Sequence, residues 1–245
     1  MANDICDGGL FCVIRCLLLD VRKKSVMANY HLEIQNVVNT ALAELEAEHK
    51  AGKLANAPVA NNHFLVHWVT KALKAQRFHR CVGDDLTQWQ KAGRSKGTES
   101  QLLPTFQRIS AYYAHFFAEQ EHTPITDKQI EAFLDEMEQA GWEVSTSEPL
   151  VNAGKVQIFT DGQNSLALCS VQCEACFDGE RLVKPMNWFV RGYHAGFIEK
   201  AFAAGFMVHK QTDYKSNVKY HGEYLIFPAN QGTQLAEIPI SFRAN

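Results

Sequence analysis

Long apolar runs are missing from this sequence. Its N-terminal run, Leu10–Leu19, has ten residues, whereas a transmembrane helix needs about 20. Asp4 and Asp7 stand before the run, where a secretory signal would carry positive charge, and the basic residues at 22–24 follow it. We therefore expect neither a cleaved signal nor a membrane partner.

The same N-terminal stretch also lacks the pattern of a well-formed helix. Met27-Ala28-Asn29 resembles a fresh start directly before the first clear helix. Residues 1–26 are therefore predicted to be a non-native or disordered extension. The alternative is a weak membrane-binding or partner-binding helix, which the apolar run would supply.

A strong overall charge is missing as well. The formal net charge is −3 over 245 residues, so no global field draws the protein to nucleic acid or membrane. The seven cysteines are too few for a small secreted disulfide framework in a chain of this length. Their odd count fits a reducing compartment, and we expect a cytoplasmic protein.

Specific catalytic signatures are scarce. No glycine loop has the spacing that cradles a phosphate. His63 and His67 stand four residues apart and would share a helix face, but no glutamate follows His63, as a zinc protease requires. The sequence leaves enzymatic activity open, and we favour a non-enzymatic protein.

Two stretches of the C-terminal half share one pattern. Each of them, 125–171 and 194–242, has an amphipathic helix, a glycine stop and an aromatic residue that opens a strand. Thr126 and Gln129 form a capping box at the first of these helices. Further strands are predicted at Val156–Thr160, Ser165–Val171, Phe206–Gln211, Tyr220–Phe227 and Leu235–Phe242. Asp161-Gly162 predicts a hairpin between the first two.

The N-terminal half has helical periodicity instead. Helices are predicted at 31–48, after a cap at Asn61 or Asn62, and at 102–117, and Gly93–Ser100 is predicted to be a loop. The predicted fold class is α+β, with mainly antiparallel sheet in two similar helix-plus-three-strand units. The predicted domains are a helical domain at 27–122 and an α+β domain at 123–245, with a Cys-rich insert at 169–192.

The sharpest chemical motif is Cys169-x3-Cys173-x2-Cys176. Three thiolates at this spacing can share a tetrahedral zinc ion. The fourth ligand would come from a residue elsewhere in the chain: His194, His209, His221 or Cys81. Zinc is thus a predicted cofactor, structural or catalytic, and three buried reduced thiols are the alternative.

Positive charge is concentrated in one segment. Residues 50–96 contain nine Lys or Arg against two Asp, and residues 119–148 contain nine Asp or Glu against one Lys. A nucleic-acid or acidic-protein surface is predicted at Lys71, Lys74, Arg77, Arg80, Lys91, Arg94 and Lys96. Pairing between the basic and the acidic segment is the alternative.

Three stretches carry a resemblance to a known family: YHLEIQNVVNTALAELEAEHK, APVANNHFLVHWVTKALKAQRFHR and PLVNAGKVQIFTDGQNSLALCS. There the chain resembles a family of uncharacterised proteins from vibrios and related gammaproteobacteria, classed as a domain of unknown function. The resemblance covers about Tyr30 to Phe242. It implies a bacterial cytoplasmic protein and an extraneous N-terminus, and it brings no catalytic residues.

The sequence thus favours an accessory or regulatory protein whose basic helical region contacts nucleic acid or an acidic protein. Two other interpretations stay open. One is a metal-dependent enzyme that uses the cysteine cluster with His194 or His209. The other is a homo-oligomeric structural module that binds no ligand.

Overall fold

The computed structural model describes residues 29–118, 123–151, 155–211 and 218–243. The predicted extension 1–26 and residues 119–122, where the domain boundary was predicted, lie outside the described residues. Helices precede a mixed sheet, so the predicted α+β class is confirmed.

From residue 29 to residue 118 the chain forms four long helices, and a 3-10 turn at Arg80–Val82 joins the second to the third. In chain order they are α1 (Tyr30–Lys50), α2 (Pro58–Lys74), α3 (Gly83–Lys96) and α4 (Leu102–Phe117). The buried side chains of α4 recur at helical spacing, including Phe106, Ile109 and Tyr113. These side chains therefore belong to the hydrophobic core.

The start of α2 differs from the prediction. The helix begins at Pro58, whose fixed φ suits the first helical position. Asn61 is buried inside the helix, where its Oδ1 lies 2.7 Å from His49 Nε2 and its Nδ2 donates to Asn56 Oδ1 at 3.1 Å. The prediction that Asn61 or Asn62 caps this helix is therefore wrong, because tertiary hydrogen bonds use the Asn61 side chain.

The predicted loop at Gly93–Ser100 is also wrong. Helix α3 continues to Lys96, and a 3-10 turn covers Gly97–Ser100. Gly93 is buried where α2 meets α3, and a Cβ atom built on it would lie 2.3 Å from Val66 Cγ2. The missing side chain permits this close approach, so tertiary packing outweighs the low helix propensity of glycine.

We expect Gly93→Ala to destabilise the protein by about 1–3 kcal/mol, because the stiff Val66 side chain must move. Gly83→Ala is the matched control: it begins the same helix with no atom within 4 Å of the added Cβ, so it should be neutral or slightly stabilising. Urea unfolding measures both. A double variant with Val66→Ala should recover part of the loss, and equal stability of the two glycine variants would contradict this packing.

The described residues of the C-terminal part form three α-helices and seven strands. The helices are α5 (Asp127–Gln139), α6 (Ser170–Ala175) and α7 (His194–Ala203). The strands are β1 (Glu143–Ser145), β2 (Ser165–Leu168), β3 (Phe177–Asp178), β4 (Arg181–Leu182), β5 (Met186–Arg191), β6 (Val208–Lys210) and β7 (Gly222–Ile226).

Five of these strands form one sheet in the order β1-β2-β5-β7-β6. β1 pairs with β2 in parallel, and the other three pairings are antiparallel. Residues of α5 and α7 share one hydrophobic core with alternate residues of the sheet, such as Leu166, Trp188 and Tyr224. The two helices therefore cover one face of the sheet.

The helix ends of the two similar stretches match each other. The predicted capping box at Thr126 and Gln129 is present. Gly141 and Gly205 both have positive φ, and Trp142 N and Phe206 N each donate back into the last helical turn. These hydrogen bonds are those of a glycine-terminated helix with a hydrophobic closing residue.

Three of the five predicted strands are confirmed, because β2, β6 and β7 lie within Ser165–Val171, Phe206–Gln211 and Tyr220–Phe227. The other two predictions are wrong. Val156–Thr160 forms no strand, apart from one bridge of Val156 to Val218, so the predicted Asp161-Gly162 hairpin is absent. Instead β2 lies between β1 and β5. Leu235–Phe242 is irregular, because Leu235, Ile238 and Phe242 pack against the N-terminal helices.

The predicted insert 169–192 contains β5, the central strand of the sheet. It is therefore part of the scaffold, and the description of it as an addition is wrong. The N-terminal helices and the C-terminal segment also share a hydrophobic core that includes Met207 and Ala236. Ala236 N donates to Tyr113 Oη at 3.1 Å, which ties the end of the chain to α4.

Candidate nucleic-acid interface and cysteine cluster

Helices α2 and α3 form an antiparallel hairpin. Gly93 faces Val66, and further along the hairpin Thr70 Oγ1 accepts from Gln90 Nε2 at 2.9 Å and from Arg94 Nη2 at 3.3 Å. These contacts place the C-terminal half of α2 beside the middle of α3. The basic residues that follow in each helix therefore lie along one hairpin.

All seven predicted nucleic-acid residues belong to this hairpin or its connection, and all seven are exposed. Lys71 and Lys74 are three residues apart on α2, as are Lys91 and Arg94 on α3, so each pair shares one side of its helix. Trp89 differs, because it is buried and its ring centroid lies 4.7 Å from that of Phe106. Trp89 thus belongs to the core and cannot stack on a base.

Arg77 has its own partners. Its Nη2 donates to Glu44 Oε1 at 2.6 Å, and its guanidinium carbon lies 5.4 Å from the ring centroids of Trp68 and Phe78. Trp68 Nε1 donates to the other Glu44 oxygen at 2.6 Å. The hydrogen bond from Arg77 is the main cause that lowers the pKa of Glu44. Arg77 therefore links α1 to the end of α2, and its charge is already paired.

The other six side chains differ from Arg77 in this respect. In the described part of the chain, no carboxylate lies within 4 Å of their cationic groups. We call these six the basic surface: Lys71, Lys74, Arg80, Lys91, Arg94 and Lys96. Nor does any ion pair join residues 50–96 to the described residues of the acidic segment, 123–148. The alternative of internal pairing therefore has no support among these residues.

A cleft of about 480 Å³ opens at the end of α2 beside the basic surface. Arg77, Phe78, His79 and Arg80 line it together with apolar residues of α2 and α3. Proteins that bind single-stranded nucleic acids use aromatic side chains to stack on bases and neighbouring cationic side chains to bind phosphates. The cleft thus places Phe78 and His79 beside the basic surface.

The three cysteines of the predicted metal site lie in different surroundings. Cys169 belongs to a core cluster on the sheet face away from the helices, and its Sγ accepts from Val151 N at 3.4 Å. Cys176 belongs to the core under α5 and α7, and its Sγ donates to Pro185 O at 3.5 Å. Cys173 is half-buried beside that second core.

The pKa shifts of these thiols also differ. Burial raises the pKa of Cys173 and of Cys176. Burial also acts upward on Cys169, but backbone N–H groups around its sulfur, Val151 first among them, outweigh it and lower its pKa. Of these three thiols, Cys169 alone has surroundings that favour the thiolate.

The four residues predicted as the fourth ligand are held by other groups. His194 Nδ1 lies 2.9 Å from Tyr224 Oη, and His209 Nδ1 lies 2.8 Å from Gln234 O. His221 bonds to Ser165, and Cys81 packs against the N-terminal core. Among the residues described, no three or more His, Cys, Asp or Glu are grouped so that they could hold a metal ion. Zinc binding stays a prediction.

Sequence reasoning missed one Ser–His pair, because its members are 56 residues apart. Ser165 Oγ lies 2.9 Å from His221 Nε2, and His221 Nδ1 lies 2.8 Å from Lys219 O. The carbonyl fixes the proton on Nδ1, so the hydroxyl donates to Nε2. Such a pair can activate a nucleophile, but Ser165 is 2% and His221 4% exposed. It is a satisfied buried pair.

A second serine matches a hydrolase pattern in sequence alone. Ser95 is the centre of Gly93-Arg94-Ser95-Lys96-Gly97, which has the Gly-x-Ser-x-Gly spacing. That motif acts at a sharp turn from strand to helix, whereas Ser95 lies within α3 and its Oγ donates to Ala92 O. The match therefore carries no catalytic meaning.

Comparison with known proteins identifies a family but indicates no function. The model of a family described as a protein of unknown function, DUF2913, matches residues 29–239. No curated protein and no solved structure matches the chain. Where the structure describes the chain, it contains no helix with the length and apolarity needed to cross a membrane.

Proposed function

The chain belongs to the DUF2913 family, and we propose that it binds nucleic acid through the basic surface of the α2–α3 hairpin. The predicted resemblance to a family of unknown function is thereby confirmed, and its restriction to vibrios and related bacteria stays a prediction. Because the family brings no activity, the proposal rests on the residues of this chain.

One observation carries the proposal: six exposed cationic side chains lie on one hairpin with no described carboxylate within 4 Å of them. Exposed cations that are not held in ion pairs are available to bind phosphates, and binding releases the counterions of the nucleic acid. The adjacent cleft, with Phe78 and His79, supplies an aromatic surface of the kind that single strands use.

The test measures the affinity for duplex DNA and for single-stranded RNA as a function of salt concentration. We expect the variant Lys71→Gln, Lys74→Gln, Lys91→Gln, Arg94→Gln to bind far more weakly. The slope of log K against log salt is negative. It should become less steep by about 0.9 for each duplex phosphate that the variant no longer neutralises, so by roughly 3–4 in all. Fluorescence anisotropy gives both quantities.

Lys128→Gln, Lys200→Gln is the matched control. These lysines pair with Glu180 and Glu136, away from the hairpin, and their removal should leave the affinity unchanged. Unaltered binding by the fourfold variant would overturn the proposal. Tighter binding to polyglutamate than to either nucleic acid would favour an acidic protein as the partner instead.

The other functions predicted from sequence have no specific contact in their favour. A structural zinc ion, a metal-dependent activity of the cysteine cluster and a ligand-free homo-oligomer therefore stay predictions. Of these, zinc would act on the C-terminal part, so it is compatible with nucleic acid on the α2–α3 hairpin.

A further inference from the structure

A groove of about 810 Å³ lies at the β1 edge of the sheet, far in sequence from the basic surface. One wall is β1, and the other is the segment 157–160, which forms no strand. Glu138, at the end of α5, and Trp142 close one end. Ser165, Leu166 and Ala167 of β2 lie at its base.

The lining of this groove is both apolar and acidic. Its apolar side chains include Trp142, Val144, Ile158 and Phe159, and its charged side chains are Glu138, Glu143 and Glu148, with no Lys, Arg or His. Phe159 is 87% exposed, which is unusual for a phenylalanine with inward-facing neighbours. The groove therefore offers an apolar surface surrounded by negative charge.

The wall that carries Phe159 is held in place from behind. Ile158 and Val156 pack on the core cluster of Cys169, and Val156 O accepts from Lys219 N at 2.9 Å. Thr160 Oγ1 accepts from Arg191. These contacts fix the side of the segment that faces the sheet, so the exposed phenylalanine is presented by a supported backbone.

The opposite wall is an edge strand. β1 ends the strand order, and β2 is its only neighbour in the described sheet. Glu143 N donates to Asn164 O on the β2 side, so in a parallel pair the next residue, Val144, directs its N–H and C=O the other way. An extended peptide can add to such an edge through its main chain and place alternate side chains in flanking pockets.

We propose that this groove binds an extended segment of a partner protein in which basic and apolar residues alternate. The main chain of the segment pairs with β1 at Val144. Its apolar side chains contact Phe159, and its basic side chains lie near Glu138 and Glu148. The choice of a basic segment follows from charge complementarity with a lining that has three glutamates and no cation.

The probe is a fluorescein-labelled peptide of alternating lysine and valine, with an alternating glutamate and valine peptide as its counterpart. We expect saturable, salt-sensitive binding of the lysine peptide and no binding of the glutamate peptide. Glu138→Gln, Glu148→Gln should weaken the lysine peptide about tenfold, and Phe159→Ala should weaken it by a similar factor. N-methylation of alternate peptide nitrogens should abolish binding if the main chain pairs with β1.

Glu131→Gln, Asp135→Asn is the matched control, because these exposed acids lie on α5 outside the groove and their loss should not change the affinity. A photoreactive lysine–valine peptide should cross-link to residues 142–148 or 157–160. Absence of binding, equal binding of the two peptides, equal loss in the control variant or cross-links confined to other surfaces would each overturn the proposal. The basic-surface variant should bind the peptide normally, so this test is independent of nucleic-acid binding.

Discussion

Replacement of Trp188 by alanine is expected to lower the free energy of unfolding by about 3–5 kcal/mol. Trp188 lies on β5, the central strand, and is completely buried. Its ring stacks on Phe133 of α5 at 5.1 Å between centroids, and it meets Phe206 edge-on at 5.4 Å. Removal of the indole would leave a cavity bounded by both a helix and the sheet, which neither can close alone.

The measurement is urea unfolding followed by circular dichroism. Trp188→Phe should lose less, because a phenyl ring keeps the stacking on Phe133 while it removes the donor to Met186 Sδ. Phe159→Ala is the contrasting control, since Phe159 is 87% exposed, and it should change stability by no more than about 0.5 kcal/mol. A loss below about 1 kcal/mol for Trp188→Ala would contradict this description of the core.

The importance of Trp188 shows where sequence reasoning was weak. The residue stood in a stretch predicted to be an insert, because this stretch has no counterpart in the second repeat-like unit. Whether a strand is central or peripheral depends on its partners in space, and β5 pairs with strands that precede and follow it by many residues. The local pattern of a strand predicts its burial and its periodicity, but it does not predict which strands pair with it.

Predictions from local sequence signals were confirmed where the interactions are between residues close in sequence. The capping box at Thr126 and the glycine stop at Gly141 involve residues within one helical turn, and both were predicted. The predictions at Gly93 and at Asp161-Gly162 were wrong because the structure there depends on contacts between residues that are distant in sequence. Each was interpreted from its own conformational preference, while contacts with Val66 and with Glu143 determine the backbone there.

The same distinction between local and long-range interactions applies to the candidate sites. All seven residues predicted for the nucleic-acid surface are exposed, and for those on α2 and α3 helical periodicity indicates this exposure. The pairing of Arg77 with Glu44 spans 33 residues, and the groove combines α5, β1, β2 and segment 157–160. Neither had a signal in the sequence. With the basic surface on the helical part and the groove at the sheet edge, the two proposed partners would bind different parts of the chain.

His209 gives the second large prediction, a loss of stability in mild acid. This residue of β6 is 1% exposed, and its Nδ1 lies 2.8 Å from Gln234 O, which fixes the proton on that nitrogen. Its Nε2 is buried without a hydrogen-bond partner among the described residues. The ring packs edge-on against Phe227 at 5.1 Å, and Gly232 leaves the space it occupies. Burial therefore lowers the pKa of His209 from 6.5 to about 4.

Proton linkage determines whether this pKa shift raises or lowers the stability of the protein in acid. Between pH 6.5 and 4 the unfolded chain binds a proton at this histidine and the folded chain does not, so acid favours unfolding. The stabilisation is complete above pH 6.5, falls as the pH drops through that value, and levels off below about pH 4. The shift corresponds to about 3 kcal/mol in full, of which about 2 kcal/mol is lost by pH 5.

His209→Asn isolates this contribution, because the asparagine amide can donate to Gln234 O in place of Nδ1 while it does not titrate. Urea midpoints and slopes at pH 7.5 and pH 5 give the stability of each protein. We expect the variant to be less stable at pH 7.5 and to lose about 2 kcal/mol less than the wild type on going to pH 5. Val208→Ala, a buried residue of the same strand, should also cost stability but keep the wild-type dependence on pH. If both variants lose as much stability as the wild type between the two pH values, His209 is protonated without penalty and its Nε2 must have a partner when charged.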